Sequence, residues 1–176
     1  MNKSRLLMLT SLLGIGLYAG CSEDGGAADP TPNSHISPAS AALVGAHQNV
    51  TEDIKWVPAP PQYPPGALFA LIQGNPSVPG EAFAVRFRMP PGYIIPPHWH
   101  PAEEAVTVIR GTFQLGMGDS ISESGWLPPI NQGGFVIAAR NTNHFVRAIT
   151  KVEIQVHGVG PSGINYVNPE DDPRNP

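Results

Sequence analysis

The chain has 176 residues, 10 Lys and Arg against 14 Asp and Glu, six histidines and a formal charge of −4. A mildly acidic chain without a basic stripe is a poor match for phosphates, which sets nucleic acid aside as a partner. With 21 prolines and one cysteine, neither long helices nor a disulfide framework can supply the stability, so it has to come from a core of short elements.

Lys3 and Arg5 precede an apolar run over residues 6–17, and Ala19-Gly20-Cys21 then leads into polar sequence. This is the pattern of a signal peptide over residues 1–20, and the run is shorter than the roughly 20 apolar residues a membrane-spanning helix needs. Small residues directly before the only cysteine resemble the cleavage box of bacterial lipoproteins, which implies that Cys21 becomes the lipidated first residue. Ser22 after it implies anchoring in the outer membrane, facing an envelope compartment such as the periplasm. Cleavage removes Lys3 and Arg5 and no acid, which leaves 8 basic against 14 acidic residues and a charge of −6. Residues 21–50 are rich in Gly, Ala, Pro, Ser and Asp and read as a flexible tether, with one short helix at 39–47 and His35 and His47 as solvated side chains. Residues 51–176 then form one domain by length.

Within that domain the apolar run 67–72 predicts a strand, closed by turn signals at Gly74-Asn75-Pro76 and Pro79-Gly80. Phe83, Val85, Phe87 and Met89 alternate with Ala84, Arg86 and Arg88, the period of a half-buried strand. Pro90-Pro91-Gly92 breaks it, 93–100 begins another, and Pro101 turns the chain into a strand at 104–110 that Gly111 closes. Further strands are predicted at 112–117, 135–139, 144–149 and 151–157, with 120–132 as a polar connection. Gly116-Met117-Gly118-Asp119 reads as a turn rather than a phosphate loop, because no lysine or helix follows it. Eight or so short antiparallel strands predict an all-β sandwich or barrel.

His98 and His100 are two apart, so on a strand both rings point to one side. Glu104 alternates with Val106 and Val108, which favours it over Glu103 as the carboxylate on the apolar face. Buried there it needs a partner. Two imidazoles and a carboxylate on one interior can hold a divalent metal and leave coordination positions open. Trp99, between the histidines, faces the other way and is expected to pack against a neighbouring sheet. Arg86, Arg88, Tyr93 and Gln114 are candidate substrate contacts, since an inward arginine would bind a carboxylate through two parallel hydrogen bonds. His157, at a strand end, is expected to be capped or solvated.

Gly92, His98, His100, Glu104 and Gly111, with five, one, three and six residues between them, reproduce the first motif of the cupin superfamily. Gly133 and His144 stand at the separation of its second motif, with Ala139, Asn141 and Ala148 where proline, glycine and asparagine are usual. Asn141 tolerates positive φ, so the turn before His144 remains feasible. Over roughly 67–157 the chain resembles a small single-domain bacterial cupin. The resemblance implies a jelly-roll β-barrel with His98, His100, Glu104 and His144 around a metal, Glu104 having a second possible role as a mobile catalytic base, and pairing of barrels into a homodimer. Three imidazoles and a carboxylate suit Fe(II), Mn(II), Ni(II), Cu(II) or Zn(II) rather than Ca(II) or Mg(II). The expected function is a metal-dependent oxidoreductase of dioxygenase type acting on a small organic molecule. The alternatives are a non-redox isomerase or hydrolase, and a non-catalytic module that binds a metal or small ligand on the cell envelope.

Overall fold

After residue 56 the chain is cut by proline and glycine into short β-branched and aromatic runs, and each run becomes a strand. The computed structural model describes residues 51–175. The expected signal peptide, the expected lipidation of Cys21, the expected tether at 21–50 and helix at 39–47, and His35 and His47 lie outside the described residues. Eleven strands follow in order: β1 Val57–Pro58, β2 Leu68–Gln73, β3 Ala82–Met89, β4 Ile94–Trp99, β5 Glu104–Arg110, β6 Thr112–Met117, β7 Ile130–Asn131, β8 Phe135–Ala138, β9 His144–Ala148, β10 Val152–Val159 and β11 Asn165–Tyr166. They build two sheets, β1-β2-β3-β10-β5-β8 and β11-β4-β9-β6-β7, and the strand pairs within them are antiparallel. This is the all-β architecture that the strand pattern predicts and the jelly roll that the resemblance implies. No helix among the described residues is long and apolar enough to cross a membrane.

The core lies between the sheets and is made by alternation. Phe83, Val85, Phe87 and Met89 of β3, Val106 and Val108 of β5, Phe113 and Leu115 of β6 and Val152, Ile154 and Val156 of β10 are buried together. The out-of-phase residues of β3 face away from this core. Arg86 donates to Gln155 at 2.7 Å and Arg88 to Glu153 at 2.8 Å, both on β10, and the Arg88 guanidinium lies 3.9 Å over the Trp56 ring. The two arginines are therefore not substrate contacts in the interior, because alternation with Phe and Val puts them on the outer face, where acceptors hold them. Gln114 is turned outward on β6 in the same way, donating to the Leu127 carbonyl and accepting from Arg147. The Tyr93 hydroxyl donates to the Pro64 carbonyl at 2.5 Å, which ties a loop to the barrel.

Three features depart from the sequence reading. The strands β1, β7 and β11 have two residues each, too short for any period. Trp99 does face away from the histidines, but it is only half-buried. It lies opposite Asn165 on the edge strand β11. The third is a small apolar layer outside the second sheet, where the Phe145 ring is wholly buried under Trp126 with centroids 4.5 Å apart. Gly116 makes room for it, since a Cβ there would run into the Phe145 ring. Gly111, which closes β5, has φ +82° and the Lys151 carbonyl where a Cβ would stand, so glycine is required on both counts.

Candidate metal centre

The sequence Ile95-Pro96-Pro97-His98 sets up the site. Neither proline can donate to a ladder, and the pairing of β4 with β9 shifts register between Ile95 and His98. The bulge resets the alternation, so that Ile95, His98 and His100 are all buried. After the shift His98 stands directly opposite His144. On the other sheet Glu104 continues the inward series of Val106 and Val108 and is 8 % exposed.

His98, His100 and His144 are each less than 5 % exposed, and one ligating nitrogen from each lies within 4.8 Å of the other two. The ring centroids are 4.3 Å apart for His98 and His144, 5.0 Å for His98 and His100, and 5.1 Å for His100 and His144. Each Nδ1 is next to a backbone carbonyl: His98 to Pro96 at 2.6 Å, His100 to Gly163 at 2.7 Å and His144 to Thr142 at 2.9 Å. A carbonyl only accepts, so each Nδ1 carries the proton and each Nε2 keeps a lone pair. This is the orientation by outer partners that metal-binding imidazoles show.

Electrostatics keep the His98 and His144 rings uncharged. Burial lowers the His98 pKa well below its ordinary 6.5, and the neighbouring His144 and His100 lower it further against the Pro96 hydrogen bond. Burial also lowers His144, to about 4, with the Thr142 hydrogen bond opposing and His100 adding to the shift. Neutral imidazole is the form that ligates.

Glu104 stands beside this group. Its Oε2 is 3.5 Å from His100 Nε2, and its Oε1 accepts a hydrogen bond from the Ser162 hydroxyl at 2.5 Å. The two halves of the site are thus locked from one crossing segment, because Ser162 holds Glu104 and Gly163 holds His100. The turn before His144 is fixed too, with Asn141 at φ 54° and its N–H donating to the His100 carbonyl at 2.8 Å. His157 is exposed on the outer face beside Gln155, away from the cluster. Glu103 is exposed, so the inward carboxylate is Glu104.

The cavity beside the imidazoles has a volume of about 50 Å³ and is walled by Met89, Ile95, Phe113, Leu115, Val146 and Ile154 among others. Such a space holds a few waters, each needing ~10–15 Å³. The donor set fits a divalent transition metal: three neutral nitrogens, a carboxylate beside them, and an apolar wall around both. Sequence reasoning did not find Ser162, Gly163 or Tyr63, which also borders the cavity.

No protein-family model matches the sequence, and no curated protein matches it. Solved structures do match in fold. An RmlC-like cupin from Ralstonia eutropha JMP134 is 18 % identical with a TM-score of 0.55, over 74 % of this chain and 78 % of that one. The polyketide cyclase RemF from Streptomyces resistomycificus is 17 % identical with a TM-score of 0.55, over 73 % and 89 %. A candidate acetylacetone dioxygenase from Methylibium petroleiphilum PM1 is 18 % identical with a TM-score of 0.54, over 73 % and 85 %. Two antiparallel sheets, histidines converging between them and these matches agree: the chain has the jelly-roll fold of the cupins.

Proposed function

We propose that this protein is a metal-dependent oxidoreductase of dioxygenase type acting on a small organic molecule. His98, His100 and His144 hold the ion, and Glu104 serves as a further ligand or as a base beside it. The observation that carries the reading is the set of three buried Nε2 lone pairs, each freed by a backbone carbonyl on the opposite ring nitrogen. A bound redox-active ion such as Fe(II), Mn(II), Ni(II) or Cu(II) supplies a centre where substrate and dioxygen react together, whereas Zn(II) supplies Lewis acidity alone. The chain's own residues do the rest. Burial keeps the His98 and His144 imidazoles neutral, the apolar wall limits the space to a few waters, and the Ser162 bond to Glu104 Oε1 leaves Oε2 as the atom able to take a proton. The dioxygenase candidate among proteins of similar fold is consistent with this reading.

The test is reconstitution of the purified chain with each of the five ions, followed by metal content and oxygen uptake over a panel of small neutral and acidic substrates. One ion per chain, lost in His98→Ala, together with substrate-dependent oxygen uptake, is expected. Equal metal content in the wild type and His98→Ala would overturn the metal reading, and a zinc-only protein without turnover would favour the binding module instead. The proposal extends to the envelope through a lipid on Cys21, checked by radiolabelled fatty acid incorporation that Cys21→Ser abolishes, and to a homodimer, checked by light scattering.

A further inference from the structure

The barrel holds a second compartment that shares Tyr63, Phe87, Glu104 and Val156 with the histidine cavity. Its volume is about 160 Å³, three times that around the imidazoles. A dry cavity of about 150 Å³ lined by aliphatic and aromatic side chains takes up benzene. The larger compartment therefore has room for one six-membered ring, and the smaller one only for a substituent. Phe69 and Phe83 add aromatic faces to the wall, and Ser77, which is exposed, stands on its rim and opens it to solvent.

Charge narrows the occupant further. Glu104 is the one charged side chain on either wall among the described residues, and no Lys or Arg lines them. The nearest arginines by sequence pattern, Arg86 and Arg88, are on the outer face and engaged by Glu153. In the larger compartment itself a carboxylate or phosphate would lose its hydration with no Lys or Arg to offset it, so negative charge fits only on a group that reaches an ion held by the imidazoles.

We infer that this compartment is the substrate pocket, and that it takes an uncharged single ring or branched group of that bulk, carried by a molecule whose small polar end reaches past Glu104 to the imidazoles. The inference deepens the metal-centre reading and rests on it for the identity of the reacting end. Tyr63 borders both spaces and separates ring from reacting group. Burial, and next the Glu104 charge, raise its phenol above its ordinary range, so it stays a hydroxyl and can donate to a neutral oxygen but adds no charge.

Binding of benzyl alcohol and benzoate to the metal-free full chain, each followed by ligand-observed NMR, tests this, with Co(II) uptake read by absorbance in parallel samples. Benzyl alcohol is expected to bind and benzoate to bind at least about tenfold more weakly. Ser77→Trp, at the exposed rim, is expected to weaken benzyl alcohol by a similar factor while Co(II) uptake is unchanged. Equal binding of benzoate, or indifference of benzyl alcohol to Ser77→Trp, overturns the pocket. Alcohol binding that Ser77→Trp weakens, together with no Co(II) uptake by the wild-type chain, supports the pocket and overturns the metal-centre reading alone.

Discussion

Each ring of the cluster gives its Nδ1 proton to a main-chain oxygen, two of them only two residues upstream. The third acceptor is Gly163, 63 residues away. Because the carbonyls select the tautomer, the site is prepared for an ion before any ion arrives, which lowers the reorganisation cost of binding. The same burial makes the metal-free chain acid-sensitive. The unfolded histidines protonate near 6.5, whereas folded His144 does so near about 4 and folded His98 also well below 6.5. Between those values the unfolded chain binds more protons, so stability is whole above about pH 6.5 and is lost on acidification toward about pH 4. Urea midpoints of the metal-free chain should fall across that window, and His144→Gln should flatten the slope. Ser162→Ala removes the donor to Glu104 Oε1. Losing it leaves a buried carboxylate oxygen without its donor, which should cost about 1–3 kcal/mol in urea unfolding.

At the level of elements, β4 and the turn before β9 carry the site. The paired prolines put the register shift where two histidines need it, and Asn141 at φ 54° reverses the chain in front of the third. Asn141→Gly should change the melting temperature little, whereas Asn141→Val should cost about 1–2 kcal/mol, since a branched side chain is disfavoured at positive φ. Much of this was legible beforehand. Alternation between proline and glycine breaks marks the long strands, and the histidine spacing with Glu104, Val106 and Val108 marks one inward face. The two-residue strands carry no period and leave no trace. Ser162 and Gly163 act across 58 and 63 residues, one through a common hydroxyl and one through a backbone carbonyl, which has no residue-type signature. The outward direction of Arg86 and Arg88 was readable from their alternation with Phe87. The acceptors on β10 that hold them were not.

Across the described residues two sheets close over a core that is continuous with the histidine cluster, so an ion bound there would be linked to folding. An ion bound to the folded chain at a hundredfold above its dissociation constant adds about 2.7 kcal/mol. Chelation should therefore lower the melting temperature by roughly 10 °C for a domain of this size, and His98→Ala should abolish the difference; scanning calorimetry with and without EDTA checks both. The crossing that supplies Ser162 and Gly163 comes after β10, the last long strand. A nascent chain stopped at Val159 has every long strand and all three imidazoles, yet His100 has no acceptor for its Nδ1 proton and Glu104 has no hydroxyl to fix it. Competence to capture an ion thus waits on residues 162–163, and a chain stopped at Val159 should take up less metal than the full chain.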